Sequence, residues 1–168
     1  MQRETKDIKI MKTATLKTLE QTDNVSLYSI CFDGKAISEY EAFLQKFKDD
    51  AKLNEDYKKI ILALEKIVAV GAFERFFRPE GKMSDHVAAL SIDSRKLRLY
   101  CLRISDQILI VGNGGIKTTR TYQENDELSG YVMDLQEFDK LLTEAQREGS
   151  ITIEKNVIVG IESKVFQL

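Results

Sequence analysis

The chain of 168 residues is poor in the side chains that cross-link small exported domains or hold metals: it has two cysteines, one proline and one histidine. Cys31 and Cys101 are too few for a disulfide framework, and a lone histidine without a CxxC motif excludes the common zinc-site spacings. Both cysteines fall in apolar, strand-like patterns, which favours buried and unreactive thiols. The sequence therefore predicts no metal, no cofactor and a reducing, cytoplasmic setting.

Long apolar runs are missing as well. No segment approaches the roughly 20 apolar residues that a membrane helix needs, and the first residues mix both signs of charge, unlike a secretory leader. We therefore expect neither membrane insertion nor export. The composition, 43% hydrophobic and 31% charged, is that of an ordinary globular protein. It predicts one domain over residues 1–168, large enough to bury a core without cross-links.

The net charge of −2 conceals an uneven distribution along the chain. Residues 1–70 carry 12 basic and 12 acidic side chains, residues 71–122 carry 9 and 5, and residues 123–168 carry 4 and 10. Six of the eight arginines lie in the middle block. Because arginine suits bidentate contacts with phosphate, this block is the candidate for contact with an anionic partner. A charge cluster is equally typical of a solvated surface.

The first half of the chain predicts a strand followed by a helical hairpin. Residues 1–23 are polar and fit either a tail or an added edge strand. Val25–Phe32 is rich in β-branched and aromatic residues, as strands are. Ser38 is placed to cap a first amphipathic helix, and a second apolar stripe at helical spacing runs from Asn54 to Gly71. Two adjacent helices with a short link predict an antiparallel pair.

The second half predicts an antiparallel meander, a long helix and a final hairpin. A loop with aromatic anchors and the only proline comes first, and three β-branched runs separated by turn pairs then predict the meander. The predicted elements are strands His86–Ile92, Lys96–Ile104 and Gln107–Val111, a turn at Gly112–Gly115, a helix from Glu124–Glu127 to Gly149, and hairpin strands Ile151–Glu154 and Val157–Ile161. This order of elements is α+β and lacks a βαβ alternation.

One strand of the meander has two different faces. Period-2 geometry places Leu97, Leu99 and Cys101 on one face and Lys96, Arg98 and Tyr100 on the other. A basic face with an aromatic ring on a rigid strand can hold phosphates and stack bases. The solvated outer face of a half-buried sheet has the same alternation, so this pattern leaves both interpretations open.

Two further features are candidates for chemistry. His86 titrates near neutrality without help and suits general acid or base catalysis on a phosphodiester, although a single histidine is more often a surface or capping residue. Gly112–Gly115, followed by Lys117 and Arg120, could present backbone N–H groups to a phosphate. This segment lacks the Walker spacing, and a flexible turn explains it equally well.

The stretch Arg95–Tyr122 resembles the RelE/HigB-like superfamily of toxins from bacterial toxin-antitoxin pairs. In that family a strand of the R-x-x-Y-x-x-R sort is followed by a hairpin, a second apolar strand, a small loop and a KKT segment. The counterparts here are Arg98–Arg103, Gln107–Val111, Gly112–Gly115 and residues 116–119. The resemblance covers residues 25–145. It implies a RelE/ParE-like core of strand, helical hairpin, antiparallel meander and C-terminal helix, with residues 1–24 and 146–168 as extensions.

The resemblance also implies a function. Such a chain would be the toxin component of a toxin-antitoxin pair, a metal-independent endoribonuclease that cuts mRNA in the ribosomal A site and is held inactive by a cognate antitoxin protein. A ribose 2'-OH would attack the adjacent phosphate, and basic side chains would stabilise the negative charge that develops.

The residues implied for this chemistry lie in the middle block of the chain. Arg98 and Lys117 or Arg120 would hold the scissile phosphate, Lys96 or His86 would move the proton, Tyr100 or Tyr122 would stack on or orient a base, and Arg78 and Lys82 would contact the RNA backbone. No metal would take part.

The alternative is a non-catalytic module of the same fold that binds a protein or a nucleic acid. It would use the basic sheet face together with Phe73, Phe76 and Phe77. The two hypotheses differ in geometry. A nuclease needs the basic strand face exposed in one concave site, with Lys117 or Arg120 within reach of the same phosphate. A binding module permits these residues to be scattered or paired with the acidic C-terminal helix.

Overall fold

The computed structural model describes residues 12–80, 85–93, 96–118 and 125–168, which form three layers. A seven-stranded mixed sheet is the middle layer, with two helices packed on one face and one long helix on the other. The α+β prediction is therefore confirmed. Among the described residues no helix is both long and apolar enough to cross a membrane.

The elements follow the chain in the order two strands, two helices, four strands, one helix and three short strands. The strands are β1 (Thr13–Gln21), β2 (Ser26–Phe32), β3 (Phe77–Pro79), β4 (Val87–Leu90), β5 (Leu97–Ser105), β6 (Ile108–Ile116), β7 (Thr152–Glu154), β8 (Val157–Val159) and β9 (Phe166–Gln167). The helices are α1 (Glu39–Phe47), α2 (Asn54–Val70) and α3 (Asp126–Glu148).

The strand order of the large sheet is β3-β4-β5-β6-β2-β1-β9. Antiparallel pairing of β4, β5 and β6 confirms the predicted meander, and the separate β7-β8 pair confirms the predicted hairpin. Among the strands of the described ranges, the one parallel pair is β2 with β6, in register from Ser26–Ser29 to Ile108–Val111. Parallel neighbours need a long crossover, and the two helices with the meander provide it.

The helices begin and end at the residues that local chemistry favours. The Ser38 hydroxyl accepts a hydrogen bond from the backbone N–H of Glu41, and the Glu41 carboxylate accepts one from the backbone N–H of Ser38, so the predicted cap Ser38 starts α1 as part of a capping box. Asn125 caps α3 through the backbone N–H of Leu128. Gly149 caps the C-terminal end of α3 and has the left-handed conformation, with φ 84°.

Each face of the sheet has its own hydrophobic core. On the α1–α2 face, Phe43, Ile60 and Ile67 of the helices pack on Leu99 and other strand residues. On the α3 face, the buried stripe of α3 packs on strand residues that include Tyr28, Ile30, Tyr100 and Leu102. Because both faces are covered, β6 is buried along nearly its whole length.

The structure differs from the sequence-based expectations at two places, and it takes the added-strand alternative for the N-terminal segment. Gly112–Gly115 does not break the meander, because it continues β6 as buried strand. The loop expected after Gly71 contains a short helical turn, Glu74–Phe76, and the edge strand β3. Of the polar N-terminal segment, Thr13–Gln21 forms a full strand between β2 and β9. Residues 1–11 lie outside the described ranges.

Close contact between β5 and β6 explains why glycine occupies the predicted turn. A Cβ atom at Gly114 would lie 1.8 Å from the carbonyl oxygen of Arg98, and one at Gly112 would lie 2.9 Å from that of Tyr100. Both partners are backbone atoms in a paired strand and have little room to move. The glycines therefore serve strand packing, and the phosphate-cradling turn considered for this segment is wrong.

Replacement of Gly114 by alanine tests this contact. We expect Gly114→Ala to lower the free energy of unfolding by about 3 kcal/mol, the upper range for overpacking a tight core. Gly130→Ala is the matched control, because Gly130 is exposed on α3 with nothing within 4 Å of an added Cβ. The control should gain roughly 0.5–1 kcal/mol from helix propensity. Urea unfolding of both variants measures the difference, and equal stabilities would contradict the contact.

Candidate functional site

Three basic residues of the predicted site meet where β5 begins and β6 ends. The backbone N–H of Lys117 donates to the carbonyl of Lys96 at 2.6 Å, and Arg98 is paired with Gly115. Strand alternation places Lys96, Arg98 and Lys117 on the face that α3 covers further along the sheet. Lys96 is exposed, and Arg98 and Lys117 are half-buried.

Arg78 extends this group across the sheet to the β3 edge. Arg78 is paired with Ala89, which in turn is paired with Tyr100, so the side chain of Arg78 lies on the same sheet face as Tyr100, the α3 face. Arg78 is exposed. Burial lowers the pKa of Arg98, and the positive charge of Arg78 lowers this pKa further, which shows that the two guanidinium groups are close enough to repel. We call Arg78, Lys96, Arg98 and Lys117 the cationic patch.

Tyr100 does not belong to the exposed face that the alternation predicted. Its side chain is 0% exposed and lies in the core under α3. The prediction of an open face is wrong at this residue because α3 covers the sheet there, and a ring so buried has no surface on which a base could stack. Arg98 and Lys96 lie beyond that cover, nearer the start of the strand.

His86 lies at the opposite end of β5 from Lys96. Its carbonyl accepts a hydrogen bond from the backbone N–H of Arg103 at 2.9 Å, so His86 lies beside Arg103. Arg103 is five residues after Arg98 in β5. At about 3.3 Å per strand residue, this separation is about 16 Å. The structure therefore does not bring His86 to the phosphate position near Arg98 and Lys117, and of the two predicted proton carriers only Lys96 lies there.

His86 forms a pair with a buried carboxylate on α3. Its Nδ1 lies 2.9 Å from Oδ1 of Asp139, and its backbone N–H donates to Oδ2 of the same residue at 3.0 Å. Asp139 is 5% exposed, and its backbone carbonyl accepts a hydrogen bond from Thr143. Two contacts from one residue fix both carboxylate oxygens and orient the imidazole ring, as in a histidine prepared for proton transfer.

A groove of about 440 Å³ lies beside this pair. The groove is lined by Asp85, His86, Gln136, Asp139, Lys140, Thr143, Glu144 and Arg147. The hydrogen bond from Asp139 raises the pKa of His86 above its ordinary value, against the opposing effect of partial burial. The groove thus contains an oriented histidine with charges of both signs around it.

Sequence reasoning missed Asp139, although a signal for it exists. The apolar stripe of α3 includes Leu135, Phe138 and Leu142, and Asp139 lies on the same buried side of the helix. A carboxylate among buried helix positions needs a hydrogen-bonding partner. The only histidine of the chain was available as that partner.

A second polar cluster positions the end of β6. Nζ of Lys46 in α1 donates to the carbonyl of Gly114 at 3.0 Å and to the hydroxyl of Tyr131 in α3 at 2.9 Å. Burial lowers the pKa of Lys46 and raises the pKa of Tyr131 to about 12. The ammonium group of Lys46 therefore links α1 and α3, which lie on opposite faces of the sheet, to the end of β6 just before Lys117.

Other predicted residues lie outside the described ranges. These are Lys82, Arg120 and Tyr122. Within the described ranges, no group of three or more His, Cys, Asp or Glu residues is arranged to hold a metal ion. Comparisons of the chain with known protein families, curated proteins and solved structures found no match.

Loss of the Asp139 carboxylate tests the histidine pair through pH dependence. Because the pKa of His86 is raised on folding, its contribution to stability is full below about pH 6.5 and is lost as the pH rises through the folded-state pKa. We expect Asp139→Asn to bring the pKa of His86 back towards 6.5 and to flatten this loss. NMR titration of the only histidine and urea unfolding across this range measure both effects. Glu144→Gln, which removes a charge from the same groove, should leave the His86 titration unchanged.

Proposed function

We propose that the chain binds RNA through the cationic patch, and that it is the toxin component of a toxin-antitoxin pair acting as a metal-independent mRNA endoribonuclease on the ribosome. The observation that carries the proposal is the placement of Arg78, Lys96, Arg98 and Lys117 on one sheet face, from three strands. Positive side chains gathered on rigid strands suit the phosphate backbone of a single strand. The RelE/HigB-like resemblance of the chain supports the toxin and nuclease parts.

Within this proposal the residues have separate roles. Arg98 and Lys117 hold the phosphate where the 2'-OH attacks, and their charges stabilise the pentavalent transition state. The 2'-oxygen forms a bond to phosphorus as the bond to the 5'-oxygen of the next nucleotide breaks, which leaves a 2',3'-cyclic phosphate and, after protonation, a 5'-hydroxyl. Lys96, opposite Lys117 in the hairpin, moves the proton. Arg78 contacts the backbone towards the β3 edge. The carboxylates of Glu80 and Asp56 also act on Arg98, and their effect on its pKa opposes that of Arg78.

A non-catalytic nucleic-acid-binding module remains the second candidate, and two observations favour it. Tyr100 is buried and His86 is about 16 Å along the strand from Arg98, so one of the two tyrosines and one of the two proton carriers expected for cleavage are not available at the patch. Phosphate binding needs neither of them. The two candidates therefore agree on RNA contact and differ on cleavage.

RNA binding tests the part that both candidates share. We expect the Arg98→Ala, Lys117→Ala double variant to bind a fluorescent single-stranded RNA roughly tenfold more weakly than the wild type and with a shallower dependence on salt. Lys35→Ala, Arg147→Ala is the matched control, because it removes two positive charges from exposed positions outside the patch, one after β2 and one in the last turn of α3. Fluorescence anisotropy measures binding. Equal affinity of all three proteins would contradict an RNA site at the patch.

Bacterial growth tests the toxin part. Induction of the wild type should arrest growth with cleavage of translated mRNA, and the Arg98→Ala, Lys117→Ala variant should restore growth at equal soluble abundance. The Lys35→Ala, Arg147→Ala control should still arrest growth. Normal growth with abundant soluble wild type, together with RNA binding that depends on the patch, would reject the toxin and leave the binding module.

A further inference from the structure

The outer edge of β1 is open over most of its length. β9 pairs with Thr13 and Ala14 only, and Leu168 adds one hydrogen bond to the carbonyl of Lys12 at 2.7 Å. The carbonyl of Thr13 accepts a hydrogen bond from the backbone N–H of Asp33, so the backbone polar groups of Thr13 point towards β2. Because this direction alternates from residue to residue along a strand, the N–H and C=O groups of Leu16 and Thr18 point to the outer side. No strand in the described ranges pairs with them.

An apolar groove of about 360 Å³ lies next to this edge, on the α1–α2 face. It lies between the sheet and the two helices, with Leu19 of β1 at its wall. Its apolar lining includes Leu19 and Leu27 of the sheet, Leu44 of α1, and Ile61 and Leu64 of α2. A strand added to β1 would project every second side chain over this groove.

The charged residues that line the groove are all acidic. They are Glu20, Glu41 and Glu65, of which Glu41 is bound by Lys17 at 2.8 Å. Glu20 and Glu65 are exposed and make no ion pair within the described residues. The groove therefore suits an apolar side chain flanked by basic ones.

We propose that the β1 edge and this groove together bind an extended segment of a partner protein, with apolar residues over the groove and Lys or Arg beside the glutamates. The segment lies next to β9 along the same edge and pairs with Leu16 and Thr18. Its backbone hydrogen bonds to β1 provide affinity, and the fit of its side chains to the groove provides specificity. A second copy of this chain fits less well. The antiparallel register that pairs Leu16 of one copy with Thr18 of the other sets two Lys17 side chains opposite each other, which is unfavourable. The inference does not depend on RNA binding.

The probe is a synthetic peptide, Lys-Thr-Val-Thr-Val-Thr-Lys with blocked ends and a fluorophore, measured by fluorescence anisotropy with the full chain. In the proposed pairing, valine and lysine face the groove, and two of the three threonines bond through their N–H groups to Leu16 and Thr18 of β1. N-methylation of the three threonines should weaken binding at least tenfold, and N-methylation of the two valines should change it less than twofold. Equal effects of the two methylated peptides, or no saturable binding up to about 1 mM, would overturn the proposal.

Protein variants separate the groove from the edge. Ile61→Lys places a charge in the groove and should weaken binding at least tenfold, whereas Leu62→Lys, at a neighbouring position that is 63% exposed, should have no effect. Thr18→Pro removes an outward N–H that β2 does not use, and Thr18→Val retains it, so only the proline variant should lose binding. Circular dichroism confirms that each variant is folded.

Two results would reject this partner. Binding that is unchanged in both Ile61→Lys and Thr18→Pro would place the peptide elsewhere. A wild-type chain that is dimeric in solution, and that Thr18→Pro converts to a monomer, would assign the edge to a second copy instead.

Discussion

The central strands β5 and β6 must be covered on both faces, and the rest of the structure depends on this constraint. Leu99, Cys101 and Val111 are buried on the α1–α2 face, while Tyr100 and Ile110 are buried on the α3 face. A strand pair that is apolar on both faces is stable only between two layers of helices. The glycines of β6 allow β5 to approach closely enough for both layers to pack.

Two polar contacts between side chains of different layers help to fix α3 on the sheet. His86 meets Asp139 near the middle of the helix, and Lys46 joins Tyr131 to the carbonyl of Gly114 near its start. A buried charge without such partners would cost several kcal/mol. The two contacts therefore help to define where α3 lies, and hence which basic residues remain beyond its cover.

The surface left by this packing has different chemistry at the two sides of the sheet. The cationic patch lies where β5 begins and reaches the β3 edge, whereas the groove lined by glutamates lies beside β1, on the far side of the strand order. Charge of opposite sign at separate places suits two partners that bind without competition. The two proposals, RNA at the cationic patch and a protein segment at the β1 edge, are therefore compatible with each other.

The sequence by itself determined most of the elements, because helix caps, turn pairs and hydrophobic periodicity act within a few residues. Ser38, Gly149 and the meander strands illustrate this local control. Alternation also grouped Lys96 with Arg98 correctly, since side-chain direction along a strand is a local property.

Only the tertiary structure decided which strand faces are covered and which distant residues meet. Tyr100 and Lys96 share one face of β5, but α3 covers only the tyrosine, and no pattern within the strand records where a helix 30 residues later will pack. The separation of His86 from Arg98 and the pairing of His86 with Asp139 have the same origin. Both depend on register and on helix packing, which are set by contacts between segments far apart in the chain.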